Sequence, residues 1–177
     1  MIIIIRHSDD ESDGCTKNHD CQLAHRGRQL AYKVGRKLID KYGLPDLIFV
    51  SPFRRTVQTM RYMLYKSNHD GTEVIEDRRL SRYFSSKDKR NPVVDQTTID
   101  KDIPIYESYH QFKERVNDFI ETLDEIDTKD KVIWVITHVV VYKRLCRNYG
   151  INIDYRVPFM ENKSFEYCIN CDEYHNV

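Results

Sequence analysis

Polar and apolar positions along this chain alternate between two habits. Short continuous apolar runs are Ile2–Ile5, Leu47–Val50 and Val132–Thr137. β-Branched runs of this length fit strands buried on both faces, as in a parallel sheet. Longer stretches carry apolar residues at helical spacing. They are Leu23–Tyr42, a segment opening at Ser51-Pro52 and continuing from Thr56 to Lys66, a segment from Tyr106 or Glu107 to Ile126, and Val139–Tyr149. Gly43 and Pro45 mark one helix stop and Gly150 another. Ser51 before Pro52 reads as a helix N-cap. Thr72–Ile75 and Ser164–Asn170 are weaker strand candidates, and Asp77–Pro104 is a charged stretch without period. Alternating strands and helices predict an α/β fold, a three-layer α/β/α sandwich on a mostly parallel sheet. At 177 residues the expectation is a single domain, 1–177, with 77–104 as a lid or insert loop.

Composition narrows the function classes. Lys+Arg and Asp+Glu are both 28. A net charge of zero speaks against a general nucleic-acid binder or a protein held on an anionic membrane. No apolar run approaches a membrane span, and residues 1–8 do not read as a signal peptide, so an intracellular, cytoplasmic protein is expected. The five cysteines read as reduced thiols. Two half-sites, Cys15/His19/Cys21 and Cys168/Cys171/His175, would make a zinc site only if they met in space.

Chemistry concentrates where apolar runs end. The first run ends in Arg6-His7, the second in Ser51 with Arg54 and Arg55 just beyond, and the run from Val132 in Thr137-His138. In a parallel sheet these strand ends share one edge, where ligands bind. Two imidazoles among guanidiniums suit a phosphoryl group: arginine forks match phosphate oxygens, and a neutral imidazole can attack phosphorus. No Gly-rich phosphate loop is present, and this chemistry requires no metal or other cofactor.

These pieces resemble the histidine phosphatase superfamily, the phosphoglycerate-mutase-like proteins. The matches are Ile-Ile-Arg6-His7, Leu23-Ala-His-Arg-Gly27-Arg-Gln29, Ser51-Pro-Phe-Arg-Arg55-Thr-Val-Gln58-Thr59, Glu107-Ser108 with Arg115, and Val-Ile-Thr137-His138. Size places the chain beside the small phosphatases of that family. The resemblance implies that His7 is the nucleophile, passing through a phosphohistidine. It implies that Arg6 and Arg55 hold the phosphoryl group, and that His138 contacts its oxygens. Ser8 is a further phosphate-binding candidate, and Arg54 carries less weight. The expected substrate is a phosphorylated small molecule or a phosphoprotein, with no nucleic acid or membrane partner.

The chain departs from the family pattern where a Leu-x-Glu glutamate usually protonates the leaving group. Here Leu80-Ser81-Arg82 stands in its place, and a guanidinium does not donate a proton. His138 is followed by Val139, where the acid-phosphatase branch has aspartate, and Asp13 lies near a position that often holds asparagine. Three readings follow. Another carboxylate, Asp77 or Glu107, supplies the proton. Or the substrate has a good leaving group, as phosphohistidine, acyl phosphates, anhydrides and aryl phosphates do. Or the protein binds phosphorylated ligands with little or no turnover.

Overall fold

The computed structural model describes residues 1–11, 20–85, 107–153, 156–168 and 173–176. Six strands form one sheet in the order β3-β2-β4-β1-β5-β6. They are β1 (Ile2–Arg6), β2 (Leu47–Val50), β3 (Glu73–Glu76), β4 (Ile133–Thr137), β5 (Asn162–Cys168) and β6 (Glu173–Asn176). The first four run parallel, with Ile2 opposite Ile133 and Leu47 opposite both Ile133 and Glu73. The pairs β1–β5 and β5–β6 are antiparallel. The helices are α1 (His25–Tyr42), α2 (Arg54–Met63), α3 (Tyr109–Asp124) and α4 (Val139–Asn148).

The isoleucine run explains the three layers. Strand side chains alternate between faces. Ile2 and Ile4 accordingly pack with Phe112, Val116 and Phe119 of α3 and Val141 and Leu145 of α4. Ile3 and Ile5 pack on the opposite face with Ala31 and Leu38 of α1 and Met63 at the end of α2. All four are almost wholly buried, and each such side chain contributes about 1.5–3 kcal/mol. Gly35 lets α1 and α2 touch, since a Cβ there would lie 2.3 Å from the Met63 carbonyl oxygen.

The structure corrects several boundaries. Helix α2 begins at Arg54, and its N-cap is Phe53 rather than Ser51. Helix α3 starts at Tyr109 behind a capping box, in which the Gln111 amide donates to Ser108 Oγ at 3.2 Å and the Ser108 amide donates to Gln111 Oε1 at 2.9 Å. The third strand is a solvent-exposed sheet edge, which is why its signal was weak. The last predicted strand begins earlier, at Asn162, and β6 was not foreseen. Most of the expected lid, residues 86–104, lies outside the described residues; the part before it forms a 3-10 turn over Arg78–Leu80.

Cys21 is disulfide-bonded, against the expectation of reduced thiols, while Cys146 is free and buried. Cys15, His19 and Cys171 lie outside the described residues, and among those described no cluster suits a metal ion. No described helix is long and apolar enough to cross a membrane.

Candidate active site

Strands β1, β2 and β4 are parallel neighbours around β4, so the residues just beyond their C-terminal ends converge. His7 follows β1, Ser51 follows β2 and His138 follows β4. The two imidazoles stand edge to face with centroids 5.2 Å apart. His7, His138 and Arg55 are 6%, 2% and 1% exposed.

The hydrogen bonds settle both tautomers. His7 Nδ1 lies 2.8 Å from the Ser8 carbonyl oxygen. A carbonyl only accepts, so Nδ1 carries the proton and Nε2 keeps its lone pair. Arg55 Nη2 donates to His138 Nδ1 at 3.1 Å, so the proton of His138 is on Nε2, which donates to Ser51 Oγ at 2.9 Å. Burial and then the Arg55 charge hold His7 well below its ordinary 6.5, with Arg6 and Arg82 adding to the effect and the Ser8 bond opposing it. The same two leading causes depress His138. Both rings are neutral at pH 7.

The cations are set firmly. Arg6 Nη1 donates to the Val157 carbonyl oxygen, and its guanidinium lies 4.1 Å above the Phe159 ring. Arg6 Nε is buried with no hydrogen-bond partner among the described residues. An unmet buried donor of this kind costs about 1–3 kcal/mol, and an anionic oxygen would relieve it. Arg55 stacks 4.9 Å from the Phe53 ring centroid and meets Asp10 Oδ2 at 3.6 Å. Burial, with the Arg82 charge, lowers Arg55 to about 10 despite Asp10 and Asp20, so it remains a cation.

Four polar positions of the Ser51–Thr59 segment organise the site. Ser51 fixes His138, Arg55 donates to His138 Nδ1, Gln58 Oε1 accepts from the Leu23 amide at 2.7 Å, and Thr59 Oγ1 accepts from the Ser8 amide at 3.0 Å. The motif therefore ties the loop after β1 to α2. Ser8 Oγ donates to the Gly27 carbonyl at 2.7 Å. The Ser8 amide and hydroxyl, expected as phosphate ligands, are both engaged inside the fold and support the loop. His138 likewise has both ring nitrogens on protein partners and orients Arg55.

Among the described residues, no side-chain hydrogen bond or ion pair joins Asp77 to His7, His138, Arg6 or Arg55. Its carboxylate caps the 3-10 turn and takes a fork from Arg79, with Nη2 at 2.6 Å and Nε at 3.1 Å. The Asp77 carboxylate, expected as a proton donor, is thus held by a guanidinium. Glu107 is held in the same way by Arg115, with Nε at 3.1 Å and Nη2 closer. Arg54 is on the outside, its side chain donating to Gln22 Oε1 at 3.2 Å. Asp13 is outside the described residues.

Several participants were not read from the sequence. Asp10 faces Arg55, Asp20 accepts from the Arg54 amide at the start of α2, and Phe159 packs 5.7 Å from the His7 ring. Burial raises the Asp20 carboxyl, with Arg54 and Arg55 opposing. Asp10 and Asp20 flank the matched motifs; their partners are visible only once the loops are placed.

Two histidines just beyond the ends of parallel strands, with Arg55 buried and Arg6 half-buried beside them, thus sit along one edge of a three-layer α/β fold. The family model of the histidine phosphatase superfamily (branch 1) matches residues 2–158, and the chain belongs to that family. Similar solved structures include a phosphoglycerate mutase from Bacillus anthracis, with TM-score 0.72, 14% identity, and 99% of this chain and 90% of that one covered. A phosphoserine phosphatase from Entamoeba histolytica gives TM-score 0.65 and 15% identity, covering 99% and 93%. A mycobacterial glucosyl-3-phosphoglycerate phosphatase gives 0.67 and 15%, covering 99% and 96%. At such identities the likeness establishes the fold. No curated protein matches the sequence.

Proposed function

We propose that this protein is a cytoplasmic phosphatase that works through a phosphohistidine on His7 and needs no metal. The carrying observation is the neutral His7, whose Nδ1–H is held by the Ser8 carbonyl so that the Nε2 lone pair is available. Nε2 attacks phosphorus while Arg6 and Arg55 take up charge on the equatorial oxygens. The leaving group departs with its electron pair. Water then adds to phosphorus, the N–P bond returns its electrons to the imidazole, and phosphate leaves. The structural relatives, a phosphoserine phosphatase, a glucosyl-3-phosphoglycerate phosphatase and a phosphoglycerate mutase, agree with this reading.

A second reading, a phospholigand-binding protein without turnover, draws on the engagement of Asp77 and Glu107 by arginines. The test is hydrolysis of para-nitrophenyl phosphate with EDTA present, together with trapping of an acid-labile, alkali-stable phosphoenzyme. Both signals should vanish in His7→Ala. Vanadate binding without turnover of any aryl, acyl or histidyl phosphate would favour the second reading.

A further inference from the structure

A third arginine, Arg82, lies close enough for its charge to act on His7, Arg55 and His138. Arg82 is exposed, unlike Arg55. Its guanidinium lies 5.1 Å from the Phe84 ring centroid, Phe84 lies 6.1 Å from Phe53, and Phe53 touches both His138, at 5.0 Å, and Arg55, at 4.9 Å. The segment carrying it is anchored. Thr137 Oγ1 donates to the Leu80 carbonyl at 2.8 Å, and Arg115 Nη1 donates to the carbonyls of Arg79 and Ser81 at 2.6 and 3.1 Å. The Arg82 charge depresses His7, Arg55 and His138 alike. Among the described residues no ion pair joins Arg82 to a carboxylate, whereas Arg79 and Arg115 each hold one.

Burial orders the cations: Arg55 is 1% exposed and Arg6 half-buried, whereas Arg82 is an exposed cation on a segment tied to Thr137, the residue before His138. We propose that Arg82 grips the leaving group, and that the site is built for phosphoanhydrides, whose leaving group departs as an anion. This rests on the phosphatase reading above.

An alcohol leaves well only if it receives a proton, which a guanidinium does not give. A phosphate leaving group needs no proton. It needs its growing negative charge stabilised, and an arginine fork does that bidentately. In the step, the His7 Nε2–P bond forms as the bridging P–O bond breaks. The bridging oxygen keeps the electron pair, and its charge falls against Arg82. Water then hydrolyses the phosphohistidine, giving a second phosphate, with the water proton passing to solvent.

The experiment compares kcat/KM for inorganic pyrophosphate, para-nitrophenyl phosphate and glycerol phosphate in the wild type, Arg82→Ala, Arg82→Lys and Arg82→Glu. Loss of a charge-assisted fork should lower the pyrophosphate-to-nitrophenyl ratio about 10- to 100-fold in Arg82→Ala. Lysine should restore part of it. Glutamate should lower the ratio further while raising glycerol phosphate relative to pyrophosphate. A ratio unmoved in Arg82→Ala, or a wild type that turns over the nitrophenyl ester but not pyrophosphate, overturns the assignment and leaves the phosphatase standing. A wild type inert on all three overturns the phosphatase reading itself.

Discussion

Replacing Gly27 by alanine tests how the loop after β1 holds the nucleophile. Gly27 lies in the first turn of α1, directly against the backbone of Asp9. A Cβ there would sit 2.0 Å from the Asp9 carbonyl oxygen, against 3.4 Å for ordinary contact, a shortfall of 1.4 Å. The obstacle is backbone, so it cannot rotate away. The Asp9 carbonyl also accepts from the Ala24 amide at 3.1 Å, and Ser8 Oγ donates to Gly27 itself. Relief therefore displaces Ser8 and Asp9, and the Ser8 carbonyl is what fixes the His7 ring. Overpacking of this kind costs about 1–3 kcal/mol. For a chain of this size that lowers Tm by roughly 2–4 °C per kcal/mol. A nucleophile displaced by about 1 Å loses on the order of 100-fold in rate. The assay is thermal unfolding alongside kcat for para-nitrophenyl phosphate. Gly71→Ala, with nothing within 4 Å, serves as the control. A Gly27→Ala protein matching wild type in both Tm and kcat would refute the idea that this contact sets the position of His7.

Three further outcomes are expected. Ser51→Ala leaves the His138 Nε2–H buried without its acceptor, which should cost about 1–3 kcal/mol in unfolding free energy; unchanged stability would mean that the ring turns to another partner. Asp77→Asn should weaken the clasp on Arg79 and lower Tm while slowing aryl and alkyl phosphates equally. A selective loss on alkyl esters would return Asp77 to the role of proton donor. His7 and His138 are neutral when folded, and their depression means that the unfolded chain binds more protons below pH 6.5. Their contribution is full above that value and lost as pH falls, so Tm should drop between pH 7 and pH 5, and by less in His7→Asn.

Much of the sheet was legible because Ile2–Ile5, Leu47–Val50 and Val132–Ile136 are apolar throughout, a property local to each run. The same runs pointed to Arg6, His7, Arg55 and His138, since a buried strand must end where polar residues begin. The roles of Ser8, Ser51 and Asp77 were not legible in this way. A hydroxyl or carboxylate can serve a cap, a ligand or a neighbouring chain segment, and only the distance to Gly27, His138 or Arg79 decides which. Phe159 and Asp10 come from loops, where no period indicates which way a side chain faces. β6 escaped notice because its Glu-Tyr-His-Asn sequence lacks an apolar run, and its pairing is to β5 alone.

The parallel pairing of β1 with β4 has a consequence for how the molecule comes together. The amine of Met1 donates to the Lys131 carbonyl across 130 positions of chain. His7, Arg55 and His138 likewise come from far-separated segments. Contacts so distant in sequence are entropically costly to close and form late. A partly folded chain can hold α1 against α2, yet it has no functioning site until β4 slots between β1 and β2. Activity should therefore return in refolding with the slowest structural phase, and helical signal should recover ahead of it.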